Sequence, residues 1–353
     1  MTLTTIPSLL AILFCAALFI LLYQHLFPRP APWKVVAAAL ASGILCTLLL
    51  VAAMTYLVPG GQEELIAVST LGEALPVAVF RAGLPEETVK ILAALAALVL
   101  FRRHLTAAAA FQIPLFVAVG FAIVENNGYS ETFAEFRMVI AFGRGFMATF
   151  VHSLLAMIQG VFLMRLVVER PAPVGGLPEV AGSVEPPTGS VDWARWYFLP
   201  LGLLAAAICH SLYDWGFLPV LGEFLRTGKA DPATAAMPIL VGLCGIVLLF
   251  VCGLRSLRTG IHRAAAADAV TLQPGHRAIV ARWRLAGALV MGLGVVVFLG
   301  AIAYGISALD FAAPAAAESS EALASLRPAL IGLGGILGGL FLVIIGWVIR
   351  QKQ

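Results

Sequence analysis

Residues 83–98 read GLPEETVKILAALAAL: two carboxylates and an ammonium at the mouth of an apolar stretch. Glu86 and Glu87 are candidate general bases toward water, and Lys90 can stabilise negative charge beside them. Three further stretches carry chemistry of the same kind. FAIVENNGY brings Glu125, with Phe121 and Tyr129 on the same four-residue step. FVHSLLAMIQG brings His152 and Gln159, and CHSLYDWG brings His210 and Asp214 one helical turn apart. Together they supply a base, orienting groups for a water and donors that polarise a carbonyl, which are the parts hydrolysis needs. Glu, His and Asp on facing helices also serve as steps of a proton or ion pathway. A third arrangement is a zinc site, with His152, His210 and Glu125 as a two-His, one-carboxylate set and a position open for water. No HExxH occurs and the histidines lie on different segments, so the metal-free arrangement is preferred. Simpler roles exist for single residues. Pro85 suits the first turn of a helix, with acids following at the positive end of its dipole. Asn126–Asn127–Gly128 reads as a helix stop.

The elements that must position these residues are membrane spans. Hydrophobic residues make up 61% of the 353-residue chain and charged ones 12%, against roughly 45–50% and about 25% in soluble domains. The apolar runs imply an all-α, polytopic transmembrane bundle of about nine spans: 8–26, 35–58, 84–101, 106–127, 140–164, 196–219, 236–254, 285–306 and 328–349. With the N-terminus outside, fifteen basic residues fall on inner segments and six on outer ones. The positive-inside rule therefore predicts N-out and C-in, in a plasma membrane. The net charge of +3 is a topology signal and makes no case for nucleic acid. Measured from the inner end of each span, Glu87, His152 and His210 lie at about 20–21 Å, and Asp214 and Glu125 at about 27–28 Å. All five are expected at one depth, in the outer half of the bilayer. All five cysteines fall within spans and none forms a CxxC pair, which predicts neither disulfides nor a thiolate metal site.

The organisation expected is two N-terminal helices over 1–58, a core over 59–254, a basic cytoplasmic loop over 255–284 and two further helices over 285–353. Residues 62–80 mix acids with apolar residues and fit an interfacial helix. The Pro/Gly-rich inner stretch 171–192 reads as an irregular loop.

EETVK, FAIVENNGY and HSLYD fit the patterns EExxK, FxxxExxxY and HxxxD. In that order on successive spans they resemble the PrsW family of intramembrane proteases, distantly related to the CAAX prenyl endopeptidases and their bacterial relatives. The resemblance covers roughly residues 60–253, leaving the first two and last two spans outside it. One departure is that the family's His is followed four residues later by Gly, where this chain has Ala156, with Gly160 beyond. The resemblance implies a multi-pass protease of the bacterial inner membrane. It would cleave a membrane-anchored protein substrate, with site-1 cleavage of an anti-sigma factor as the best-known role. In the related CAAX enzymes the corresponding chemistry is glutamate-centred and needs no metal, which is the preferred expectation here, with zinc as the alternative cofactor. Glu87 is then preferred over Glu86 as general base. His152 or Glu125 orients the water, and His210 with Asp214 polarises the scissile carbonyl or holds an ordered donor for it.

Overall fold

The computed structural model describes residues 5–27, 30–57, 67–101, 106–132, 137–169, 189–227 and 232–267. Apart from Thr227, these residues belong to one compact unit. Its helices are α1 (Ile6–Leu26), α2 (Trp33–Leu57), α3 (Leu71–Val77), α4 (Leu84–Leu100), α5 (Ala107–Thr132), α6 (Arg137–Met164), α7 (Phe198–Thr227) and α8 (Pro232–Ala267). Among the described residues six helices are long and apolar enough to cross a membrane: α1, α2, α5, α6, α7 with the short turn before it, and α8. The chain is a helical, multi-pass membrane protein. α4 corresponds to the third expected span, but it has only 17 residues and carries three charges. The expected spans 285–306 and 328–349 lie outside the described residues.

α5 is the central helix. Residues 107–122 are all buried, which is why this segment is apolar on every side. It packs against α6 and α2 most extensively, and also against α1, α4 and α8. Its one polar side chain in that stretch is satisfied: Gln112 Oε1 accepts from the Ala31 amide at 3.1 Å, and its Nε2 donates to Ala108 O at 3.2 Å. Glycine sets the approach of α2 to α5. A Cβ on Gly43 would overlap the Val117 carbonyl oxygen, and one on Gly120 would overlap that of Leu40. Small residues let two helix backbones come this close where no water drives them together.

Three expectations change. Pro85 does not open a helix. The helical run starts at Thr70, whose hydroxyl accepts from the Glu73 amide while Glu73 Oε2 accepts from the Thr70 amide. The Ser69 amide and hydroxyl also bind that carboxylate and, with Thr70, hold it below its usual range. The run then passes through a π-helical stretch, Ala78–Gly83, into α4 without a break. Proline lacks an N–H and crowds the preceding turn, so a wider π turn ahead of Pro85 accommodates it. Second, Asn126–Asn127–Gly128 does not stop α5, which continues to Thr132. Third, residues 255–267, expected as the start of a loop, extend α8 as helix, because Leu257 is buried and the closing Ala-rich segment favours helix. A short antiparallel hairpin, β1 (Val167–Glu169) with β2 (Gly189–Val191), joins the α6 and α7 segments in an otherwise all-α fold.

Gly120→Val should force α2 and α5 apart and lower stability by about 1–3 kcal/mol. Gly128→Ala, where nothing lies within 4 Å, should leave the midpoint no lower. Thermal unfolding of both variants in detergent checks this.

Candidate active site

Glu87 is the floor of the site and is fully buried. A carboxylate there needs donors on every side, and three elements supply them. Lys90 Nζ, from the next turn of α4, donates to Glu87 Oε1 at 2.8 Å. His210 Nδ1 on α7 lies 3.0 Å from the same oxygen. Gln159 Nε2 on α6 donates to Glu87 Oε2 at 2.9 Å and reaches the Glu87 backbone carbonyl at 3.3 Å. The crossing of α7 is made possible by Gly83, where a Cβ would overlap Ser211 Oγ, one residue from His210.

Lys90 is buried too. Its ammonium meets three acceptors: Glu87, Glu86 Oε2 at 3.2 Å and His152 Nδ1 at 2.9 Å. An ammonium donor at Nδ1 requires the neutral ring's proton on Nε2, which donates to Glu125 Oε2 at 2.6 Å. Arg144 Nη2 holds the other Glu125 oxygen at 2.8 Å. The FxxxExxxY spacing now has a physical account. Phe121 lies under the Lys90 ammonium at 4.1 Å, Tyr129 lies under the Arg144 guanidinium at 3.5 Å, and Glu125 between them joins His152 to Arg144. A four-residue step puts all three on one face of α5.

His210 lies between two carboxylates, with Nδ1 toward Glu87 and Nε2 3.2 Å from Asp214 Oδ2 and 3.9 Å from Glu86 Oε2. A ring protonated on both nitrogens satisfies both neighbours. Glu86, Glu125 and Asp214 are each 16–18% exposed. They form a partly open rim above the closed floor.

The structure thus joins all seven residues singled out in the sequence, Glu86, Glu87, Lys90, Glu125, His152, His210 and Asp214, into one bonded network from four helices. Two members were not assigned roles. In sequence, Gln159 is one polar residue on its span, and Arg144 is one of the six basic residues on outer segments. Arg144 lies 19 residues from Glu125 across a connection, so no local spacing announces it. Ala156 is buried where the family has Gly, and the close approach falls one turn later, where a Cβ on Gly160 would lie 2.8 Å from Phe111 O.

A family model described as PrsW family intramembrane metalloprotease matches residues 31–250. The chain belongs to this family. The match begins at residue 31, so α2, expected as an addition, lies inside it. No curated protein and no solved structure matches the chain. The family's description implies a metal. Among the described residues, the donors close enough to share one are Glu86, Glu87 and His152, whose ligand atoms lie within 4.8 Å of one another. The set expected from sequence, His152, His210 and Glu125, is not assembled. Glu125 is bonded to His152 itself, and His210 is turned to Glu87 and Asp214. Two carboxylates and an imidazole are the right donor types. As arranged, all three are bonded to the Lys90 ammonium, so a metal held by these donors would take the place of that ammonium.

Gln159→Leu removes a donor from a buried carboxylate and should cost about 1–3 kcal/mol. Thermal unfolding of the purified variant reads it directly. An unchanged midpoint would contradict the contact's role.

Proposed function

We propose that the chain is an intramembrane endopeptidase that hydrolyses a peptide bond of a membrane-anchored protein by glutamate-centred chemistry. An anti-sigma factor is the substrate class that the family resemblance implies. The observation that carries this reading is the single network that gathers acids, two histidines and a lysine from four helices around a buried carboxylate. Its open rim leaves a carboxylate available to solvent and substrate.

We assign the base to Glu86, reversing the order expected from sequence. Both oxygens of Glu87 are taken by Lys90, His210 and Gln159. Among the described residues only Oε2 of Glu86 is engaged, and its side chain reaches the rim. Glu86 accepts a proton from the attacking water and returns it to the leaving amine. Lys90 keeps that carboxylate oriented. His210 is held by Glu87 at Nδ1, and its Nε2 proton passes from Asp214 to the carbonyl oxygen as negative charge develops there. A metal held by Glu86, Glu87 and His152 would supply a Lewis acid and a more acidic water. The glutamate reading is preferred because Lys90 already binds all three donors.

The charge balance of the loops supports a topology with the N-terminus outside and the rim toward the outer half of a bacterial inner membrane. Residues 59–254 are the proposed catalytic core, with α2 added by the family match. The spans at 285–306 and 328–349 are proposed as additions to it. A proton pathway through the same residues is the competing reading, and membership of a protease family favours hydrolysis over it.

Glu86→Gln should lower cleavage of a single-span membrane substrate by about a hundredfold or more while leaving the thermal midpoint near that of the parent. Glu87→Gln should lower both. An E86Q protein that cleaves at the parent's rate would overturn the assignment of the base.

A further inference from the structure

A second polar feature lies away from this network. Arg165, Arg195 and Arg263 line one cavity of about 500 Å³, together with Val167 and Phe198. The three come from different elements: the turn after α6, the short 3-10 turn Trp193–Arg195, and the last turns of α8. Their fixings differ. Arg195 is tied by Nε to Asp192 at 3.0 Å and by Nη1 to the Arg165 carbonyl at 3.4 Å. Arg165 has no acidic partner among the described residues, and its Nε is buried without a hydrogen bond. Its guanidinium instead sits over aromatic rings, 5.1 Å from Phe198 and 5.9 Å from Phe162. Arg263 is exposed at the cavity's edge, likewise with no acidic partner among the described residues.

Two guanidinium forks with no acidic partner among the described residues, facing one cavity beside a third, suit an oxyanion. Planar forks match phosphate oxygens two at a time, and stacking on Phe198 restrains one fork in advance. The surroundings indicate which phosphate. Trp193, Trp196 and Tyr197, next to Arg195, are all about half exposed or more. Exposed Trp and Tyr at the end of a span mark the headgroup level of a bilayer. Arg165 also follows His152 by 13 residues on the same helical path, about 20 Å away. The cavity is thus at the opposite end of α6 from the rim of the active site. By the loop charges that end faces the cytoplasmic leaflet, where anionic lipids concentrate.

We propose that Arg165, Arg195 and Arg263 form a binding site for the phosphodiester headgroup of an anionic phospholipid of the inner leaflet. The site is independent of the protease reading, because none of its residues belongs to the Glu87 network. A lipid there ties the ends of α6 and α8 to the hairpin that leads into α7.

The test uses the full chain, purified in neutral detergent and stripped of lipid. Native mass spectrometry and tryptophan fluorescence are read during titration with phosphatidylglycerol, phosphatidylcholine or inorganic phosphate. Saturable phosphatidylglycerol binding is expected, with phosphatidylcholine at least tenfold weaker and phosphate alone weaker still. Arg165→Gln combined with Arg263→Gln should weaken phosphatidylglycerol binding by at least tenfold. Arg263→Gln alone changes only an exposed side chain, keeps the fold, and should weaken it severalfold. Equal phosphatidylglycerol binding by parent, single and double variants would overturn the site. Inorganic phosphate that binds as tightly as phosphatidylglycerol would overturn its assignment to a lipid.

Discussion

A fully buried carboxylate governs this structure. Glu87 is closed off from bulk solvent, and its donors come from three helices of the protein. Lys90 provides charge from the same helix, while Gln159 and His210 reach in from α6 and α7. Lys90 is itself buried, and its remaining valence is met by Glu86 and His152. Each of these contacts is short, so each fixes the rotation of a helix and not merely its proximity. Packing of apolar residues in a membrane bundle leaves rotation weakly specified, since lipid and leucine are much alike. The polar network specifies it. Buried ion pairs often do not add to stability overall, but breaking one by removing a single partner is costly. The network is better understood as what sets the register of four helices than as what holds them together.

From that register the site divides into floor and rim. The floor is Glu87, Lys90 and His152, closed to solvent and mutually satisfied. The rim is Glu86, Glu125 and Asp214, each with part of its side chain open. Acid–base chemistry needs a group with a free lone pair near substrate, and only the rim offers one. The Arg144–Glu125 pair fixes the tautomer of His152, which leaves its Nδ1 lone pair for Lys90. The same donors that suit a divalent metal thus serve an internal cation.

Much of the site was legible before the fold. The paired glutamates, the FxxxExxxY step and the His-to-Asp step are all helical periodicities, and depth along each span brought them to a common level. Periodicity and depth report position along a helix and around it. They do not report which helix is a neighbour, and so spacing points to His210 as a zinc ligand where the assembled donors are Glu86, Glu87 and His152. They also could not rank Glu87 against Glu86, because burial of adjacent residues depends on the partner helix. Arg144 was hidden for a different reason: near a span end, a basic residue reads first as a topology signal. The start of the helical run at Thr70 was available in principle, since T-x-x-E is a capping box. Pro85 masked it by resembling a helix start of its own. The π turn that reconciles proline with a continuous helix leaves no signature in a single chain.

The most direct test of the central claim is a double-mutant cycle on folded stability, with Glu87→Gln, Lys90→Met and the two combined. If the buried pair sets the register, each single change strips a buried charge of its shortest ion-pair contact and should cost about 3–5 kcal/mol. The double variant should recover most of that loss, with a coupling well above the few tenths expected of independent sites. Additive losses would contradict the account, because Glu87 and Lys90 would then not depend on each other.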